Sequence, residues 1–178
     1  MKVPFPQLNP VRGQSLCHDG SMNPIALRAV TDDDLDAIFE QERDPEAVSM
    51  AAFTAPDPND RAAFDAHMIR LRSAPDIAFF AIDRDGALVG STASFVMDGR
   101  TEVTYWVDRA AWGTGVATAA LRLLLGVVTV RPIYARAASD NLGSLAVLRK
   151  CGFVEIDRET SFAQARGAEI EETVLRLA

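Results

Sequence analysis

Hydrophobic positions recur with two different periods along the chain, and the switches between them predict its elements. From Thr101 to Asp108 the period is two. Val103, Tyr105 and Val107 fall on one face and Glu102, Thr104 and Trp106 on the other, as in a half-buried strand. Beyond Gly115 the period becomes helical, with Ala117, Ala120, Leu121 and Leu124 on one stripe. Arg131-Pro132 leads into a short strand, Ile133 to Ala137, and Asp140-Asn141-Leu142-Gly143-Ser144 opens a second helix. That helix ends at Lys150-Cys151-Gly152-Phe153, with Gly152 as the C′ glycine and Phe153 as the apolar contact behind it.

Upstream, Ile25 to Val30 reads as a first strand. Thr31 then caps a helix with Asp34 in the capping-box place and Leu35, Ile38 and Phe39 as its buried stripe. The stretch from Asp44-Pro45 to Pro58 reads as an irregular connection holding Met50 and Phe53. Asn59 is expected to cap the next helix, which buries Phe64, His67, Met68 and Leu71 at i, i+3, i+4 and i+7. On that stripe His67 reads as a packed side chain; as a histidine it is also a possible base. Ile77 to Asp83 and Ala87 to Met97 form a hairpin around Arg84-Asp85-Gly86, and Asp98-Gly99 turns the second of these strands into the one at Thr101. Val154 to Arg158 and Glu169 to Leu177, with Gly167 between them, close the chain as two more strands. The sum is one α+β domain over residues 24–178, a mixed, mostly antiparallel sheet of six or seven strands flanked by about four helices. Residues 1–23 have no periodicity and no apolar signal-peptide core, and are expected to form a flexible extension or leader. Gly20-Ser21-Met22 resembles the join between an added leader and a natural start at Met22.

Composition narrows the class. A chain of 178 residues, 48% of them hydrophobic, can fill one core, and no stretch is long and apolar enough to span a bilayer. The net charge of −7 disfavours nucleic acid, whose phosphates need clustered Lys and Arg, and suits a cationic substrate as well as plain solubility. Cys17 and Cys151 lie far apart without metal-ligand spacing, and the three adjacent residues Cys17-His18-Asp19 cannot close a coordination shell. Reduced thiols, no metal and a cytoplasmic setting are expected.

The chemistry centres on Trp112-Gly113-Thr114-Gly115-Val116-Ala117. A glycine-rich turn feeding a helix N-terminus leaves several backbone N–H groups free and pointing one way, a ready site for phosphate oxygens. A tight strand-to-helix connection is the plain alternative. These residues resemble the pyrophosphate motif [Q/R]-x-x-G-x-[G/A] of the GNAT superfamily of acetyl-CoA-dependent N-acetyltransferases, with Gly115 and Ala117 in the small-residue places. The Tyr105-Trp106-Val107 strand, the W-G-x-G-x-A turn and the N-x-x-S-x-x-V-L-x-K-x-G-F helix look most like the subgroup that acetylates ribosomal-protein N-termini. Trp112 stands where many members have Gln or Arg, and Leu148 where many have a catalytic Tyr; both departures are usual for that subgroup.

The resemblance implies acetyl-CoA as co-substrate and contacts to it from Gly113, Thr114, Gly115, Val116, Ala117 and Thr118. It also implies that Asn141, otherwise a plain N-cap, holds the pantetheine arm. Arg109, Arg149 and Lys150 are candidates for the phosphates, and the Val107 N–H for the oxyanion, where the strand must splay to admit the thioester. Acetyl transfer to an amine needs a neutral nucleophile and a proton for the departing thiolate. Glu102 is the candidate base, matching the glutamate of the subgroup's A-E-x-x-Y-W pattern, and its other reading is a structural strand glutamate. Ser144 is the candidate acid, its other reading a first-turn hydroxyl. Asp157, Glu159, Glu171 and Glu172 are candidates for an acidic acceptor mouth or for surface charges. An α-amine is about one-tenth neutral at pH 7 and a lysine only about one part in 2,500, so an N-terminal acceptor asks less of a base. The acceptor stays open among peptide N-termini, aminoglycosides, polyamines and small amino acids, and a homodimer is also open. The rival readings are a domain that binds and senses acyl-CoA without turnover, and a mononucleotide-binding protein. The second lacks the G-x-x-x-x-G-K-[S/T] loop.

Overall fold

A computed structural model describes residues 25–178, so the expectations for residues 1–24, including the leader, Cys17 and a start at Met22, lie outside the described residues. The first strand, β1 (Ile25–Ala29), leads through a 3-10 turn at Asp32–Asp34 into α1 (Leu35–Glu42). The capping box is present: Asp34 Oδ2 accepts the Thr31 N–H at 2.8 Å. Next come α2 (Pro45–Ala51) and α3 (Arg61–Ser73), then the meander β2 (Ala78–Arg84), β3 (Ala87–Met97) and β4 (Arg100–Val107). The chain continues through α4 (Val116–Val127), β5 (Ile133–Ala138), α5 (Leu142–Lys150), β6 (Val154–Ala163) and β7 (Ala168–Leu177). The seven strands form one sheet in the order β1-β2-β3-β4-β5-β7-β6, antiparallel everywhere except between β4 and β5. The expected class and mostly antiparallel sheet are therefore found, with five α-helices among the described residues. No helix of the described residues is long and apolar enough to cross a membrane.

Three expectations need correction. The stretch after Asp44 is not irregular, because it holds α2. Asp44 Oδ1 accepts the N–H groups of Glu46 and Ala47 at 3.1 and 3.0 Å, and Pro45 supplies a preset φ at the first helical position. The cap of α3 is Asp60, whose Oδ1 accepts the Ala63 N–H at 2.9 Å, while Asn59 donates its own N–H to Asp57 one turn earlier. His67 is exposed rather than packed: Phe64 and Met68 fill the stripe and the imidazole lies at its edge, its Nδ1 against Arg70.

The helices divide between the two faces of the sheet. On one face α4 and α5 pack Leu121, Leu124, Leu145 and Leu148 against Val103, Val107 and Ile133. On the other, Ile38 and Phe39 of α1 meet Phe64 and Met68 of α3 over Ala81. The end of α5 follows the reading of Gly152. The Phe153 N–H reaches the Leu148 carbonyl and the Gly152 N–H the Arg149 carbonyl, both at 3.1 Å, with Gly152 at φ +91° and Phe153 buried.

Candidate active site

The site is made by a parting of strands. β4 and β5 pair only at Thr101–Ile133 and Glu102–Tyr134, after which they separate. Amide directions alternate along a strand. The Asp108 N–H goes to the Val89 carbonyl of β3 at 2.9 Å, so the Val107 N–H points the other way, into the gap. The Val107 carbonyl on that same edge accepts the Trp112 indole N–H at 2.8 Å, replacing the partner that β5 no longer offers. Trp112 thereby holds the gap open, which gives the tryptophan of the turn a structural purpose. Gly90, opposite Val107, is needed for the same bend: a Cβ there would stand 2.2 Å from the Trp106 carbonyl oxygen.

On the α4 side of the gap lies the glycine turn. Gly113 and Gly115 have φ of +74° and +84°, the left-handed region that suits glycine, and open space lies above both. Thr114 Oγ1 donates to the Ala111 carbonyl at 2.6 Å and so fixes the turn. Gly115 is the N-cap residue and supplies no side chain. Among the described residues no acceptor meets the N–H groups of Gly115, Val116, Ala117 and Thr118. A run of free amides at the positive end of a helix fits phosphate oxygens, so the residues expected to hold the CoA pyrophosphate suit that role.

The predicted cations are only partly available for it. Arg109 is turned to α2, on Asp44 and Glu46 at 3.0 Å each, and Arg149 meets Glu155 at 3.4 Å. Lys150 ends α5 beside the first turn of α4, where Cys151 Sγ approaches the Thr118 carbonyl at 3.7 Å. Arg84, which sequence reading passed over, touches the turn itself through Thr114 Oγ1 at 3.3 Å.

Across the gap stands the N-terminus of α5. Asn141 Oδ1 accepts the Ser144 N–H at 3.0 Å, and its Nδ2 donates to the Met50 carbonyl at 3.2 Å, tying α5 to the end of α2. Ser144 Oγ lies 2.7 Å from the Tyr105 hydroxyl of β4, which also donates to the Ser144 carbonyl at 3.1 Å. Burial pushes the Tyr105 phenol up to about 12, so it stays protonated at neutral pH. The expected acid therefore has a proton-bearing partner that only the tertiary structure supplies.

From the gap a cleft of about 1000 Å³ opens toward α1, α2 and α3. It is lined among others by Phe39, Phe53, Trp106, Ser144 and Glu42. Glu102, the expected base, is not on its wall. It is 4% exposed at the paired root of β4, with Arg136 Nε 3.4 Å from its carboxylate. Burial raises its pKa and Arg136 opposes part of that rise. Arg136 also holds Glu159 at 2.6 Å and Glu172 at 3.3 Å, and Arg158 takes Glu171 at 2.8 Å. The acidic mouth expected from these carboxylates is thus largely paired with guanidinium groups. Sequence reading overlooked Glu42, although it follows Leu35, Ile38 and Phe39 at i+7 on the buried stripe of α1.

This geometry is that of a known family. The domain model described as acetyltransferase (GNAT) domain matches residues 25–154, and the chain belongs to that family. Among solved structures, RimJ of Mycobacterium smegmatis in complex with CoA-disulfide is 23% identical with a TM-score of 0.73, over 87% of this chain and 82% of that one. The spermidine N-acetyltransferase of Vibrio cholerae, with CoA and spermine, is 16% identical with a TM-score of 0.74, over 86% and 94%. RimL, a ribosomal L7/L12 alpha-N-protein acetyltransferase in complex with CoA, is 16% identical with a TM-score of 0.71, over 86% and 93%. These likenesses are of fold. A search of curated protein sequences finds no match.

Proposed function

We propose that the chain is an N-acetyltransferase that passes the acetyl group of acetyl-CoA to a primary amine by direct attack. The observation that carries the reading is the β4–β5 gap, with free amides on one side and an open cleft of about 1000 Å³ on the other. Acetyl-CoA supplies an acyl group already activated as a thioester. In this reading the amides of Gly115 to Thr118 bind pyrophosphate oxygens, with Gly113 and Thr114 shaping the turn and Arg84 and Lys150 nearby. The Val107 N–H stabilises the carbonyl oxygen as it gains charge. Asn141 sets the start of α5, and Ser144 donates a proton to the leaving sulfur from its pair with Tyr105. Glu102 is a positioning group, its carboxylate anchoring Arg136 at the root of the gap.

The CoA-bound relatives support the donor, and the ribosomal-protein and spermidine acetyltransferases support an amine acceptor. A cytoplasmic setting belongs to the same proposal and rests on the free thiol of Cys151. Nucleic acid is not an expected partner for a chain of net charge −7.

Thermal unfolding tests the reading. Acetyl-CoA at a hundred times its dissociation constant is expected to add about 2.7 kcal/mol of stability to wild type. Gly115→Glu places a carboxylate where phosphate binds and should lose the shift. Gly115→Ala carries the same left-handed backbone penalty without the charge and should keep most of it. No shift in wild type removes the donor assignment. A shift without thiol release in the presence of any amine leaves a sensing domain instead of an enzyme.

A further inference from the structure

Among the described residues the buried and cleft-lining carboxylates have partners, with two exceptions, Glu42 and the exposed Asp76. Asp34 is held by Arg28 at 2.6 and 2.7 Å, and Glu102 and Glu172 share Arg136. On the cleft wall Asp57 and Asp60 accept the N–H groups of Asn59 and Ala63, and Asp76 is exposed on the loop before β2. Glu42 lines the same cleft, and among the described residues neither a cation nor an amide meets its carboxylate. Desolvation alone pushes it up to about 7. Its place is fixed from both sides. It ends α1, and the neighbouring Gln41 carbonyl accepts the Trp106 indole N–H at 2.9 Å, holding the helix end against the part of β4 that has left β5.

We propose that Glu42 binds the acceptor's ammonium group and takes its proton, and that the acceptor is a primary amine with one positive charge on an apolar or aromatic stem. The inference rests on the acetyltransferase reading above. Phe39, Phe53, Phe64, Phe79 and Trp106 line the same cleft as Glu42, so aromatic rings are at hand for the stem of the amine. Arg70 lines it as well and disfavours a second cation beside it, whereas the charge of Arg136 is taken up by Glu102, Glu159 and Glu172. Besides Asp57, Asp60 and Asp76, the other titratable groups on the wall are Tyr105 of β4, held protonated beside Ser144, His67 of α3, held low by partial desolvation and by Arg70, and Glu172 of β7, which Arg136 occupies. In the balanced step the amine nitrogen bonds to the acetyl carbon as the carbon–sulfur bond breaks. One ammonium proton passes to Glu42 before attack; the second leaves the nitrogen through water as the amide forms and makes good, through Tyr105, the proton that Ser144 gives to the sulfur.

The test compares 2-phenylethylamine with spermidine as acceptors, by thiol release, in wild type and Glu42→Gln. Wild type is expected to prefer 2-phenylethylamine by about tenfold or more in kcat/KM. Glu42→Gln is expected to lose about tenfold or more at pH about 7, with the deficit shrinking as pH rises and more amine arrives neutral. A readout without turnover accompanies it. A glutamate whose folded pKa is raised costs wild type stability as pH climbs from its unfolded value through about 7. The Glu42→Gln midpoint should therefore exceed wild type at about pH 8 and match it at about pH 4. Preference for spermidine, an unchanged rate profile in Glu42→Gln, or a midpoint difference equal at both pH values overturns the inference. If acetyl-CoA stabilises wild type but 2-phenylethylamine is not acetylated, the Glu42 inference alone falls. If acetyl-CoA does not stabilise wild type, the acetyltransferase reading falls with it.

Discussion

Replacing Arg136 by Met is expected to lower the unfolding free energy by about 3 kcal/mol at about pH 8, the scale for leaving buried charge without its partner. Arg136 is the cation shared by Glu102 of β4, Glu159 of β6 and Glu172 of β7, with side-chain exposures of 6%, 42% and 10%. Burial already holds Glu102 and Glu172 above the ordinary carboxylate range, with Arg136 pulling each back down. Raised folded pKa values mean stability that is present at low pH and lost as pH rises through the folded titration. Without the guanidinium both folded titrations move further up, so the loss deepens at alkaline pH. At about pH 4 the two glutamates are largely protonated in the folded protein, and the variant should come close to wild type. Urea unfolding at the two pH values measures this directly. An equal loss at both would mean that Arg136 acts through the packing of its stem, and no loss at either would mean that water already screens the cluster.

That cluster also marks how far the sequence could be read. The strand at Thr101, the glycine turn, the Asp98-Gly99 hairpin and the end of α5 at Gly152-Phe153 were legible because each is written locally, in a period of two, a left-handed turn or a capping contact. α2 was not, although Asp44-Pro45-Glu46 carries an N-cap and a proline at the first position. Its seven residues are too few for a periodic signal. The carbonyls around its end find partners far along the chain: Ser49 from Arg166, Met50 from Asn141 and Ala52 from the Ala165 N–H. The family motif pointed to Gly115, Asn141 and Ser144 as candidates, since one connection and one helix start carry them. It did not locate the companions of these residues. Tyr105 meets Ser144 across 39 positions, and Trp106 reaches the end of α1 across 65. Glu102 matched a pattern, but its surroundings depend on Arg136, which arrives from another strand. Glu42 did carry a local sign, a carboxylate on an apolar stripe, and its meaning rests on which groups fail to meet it.

Tyr105→Phe and Ser144→Ala are each expected to lower kcat by about 10²-fold, within the range for a positioned general acid. The double variant should be little worse than either alone, because residues acting as one relay do not add. The 2.7 Å contact between the two hydroxyls lets the phenol turn its one proton from the Ser144 carbonyl to Ser144 Oγ, which would free the serine proton for the leaving sulfur. A phenol held up at about 12 is suited to that task, since it carries its proton across the neutral range. Neither change should disturb the cradle. Ser144→Ala keeps the N–H that Asn141 accepts, and Tyr105→Phe keeps the ring that packs against the α4–α5 core. The acetyl-CoA midpoint shift is therefore expected to persist in both, at a stability cost of about 1 kcal/mol for the lost hydrogen bond. Losses that multiply in the double variant would assign the two hydroxyls separate roles. A kcat unchanged by Ser144→Ala would mean that the sulfur leaves as a thiolate and takes its proton from water.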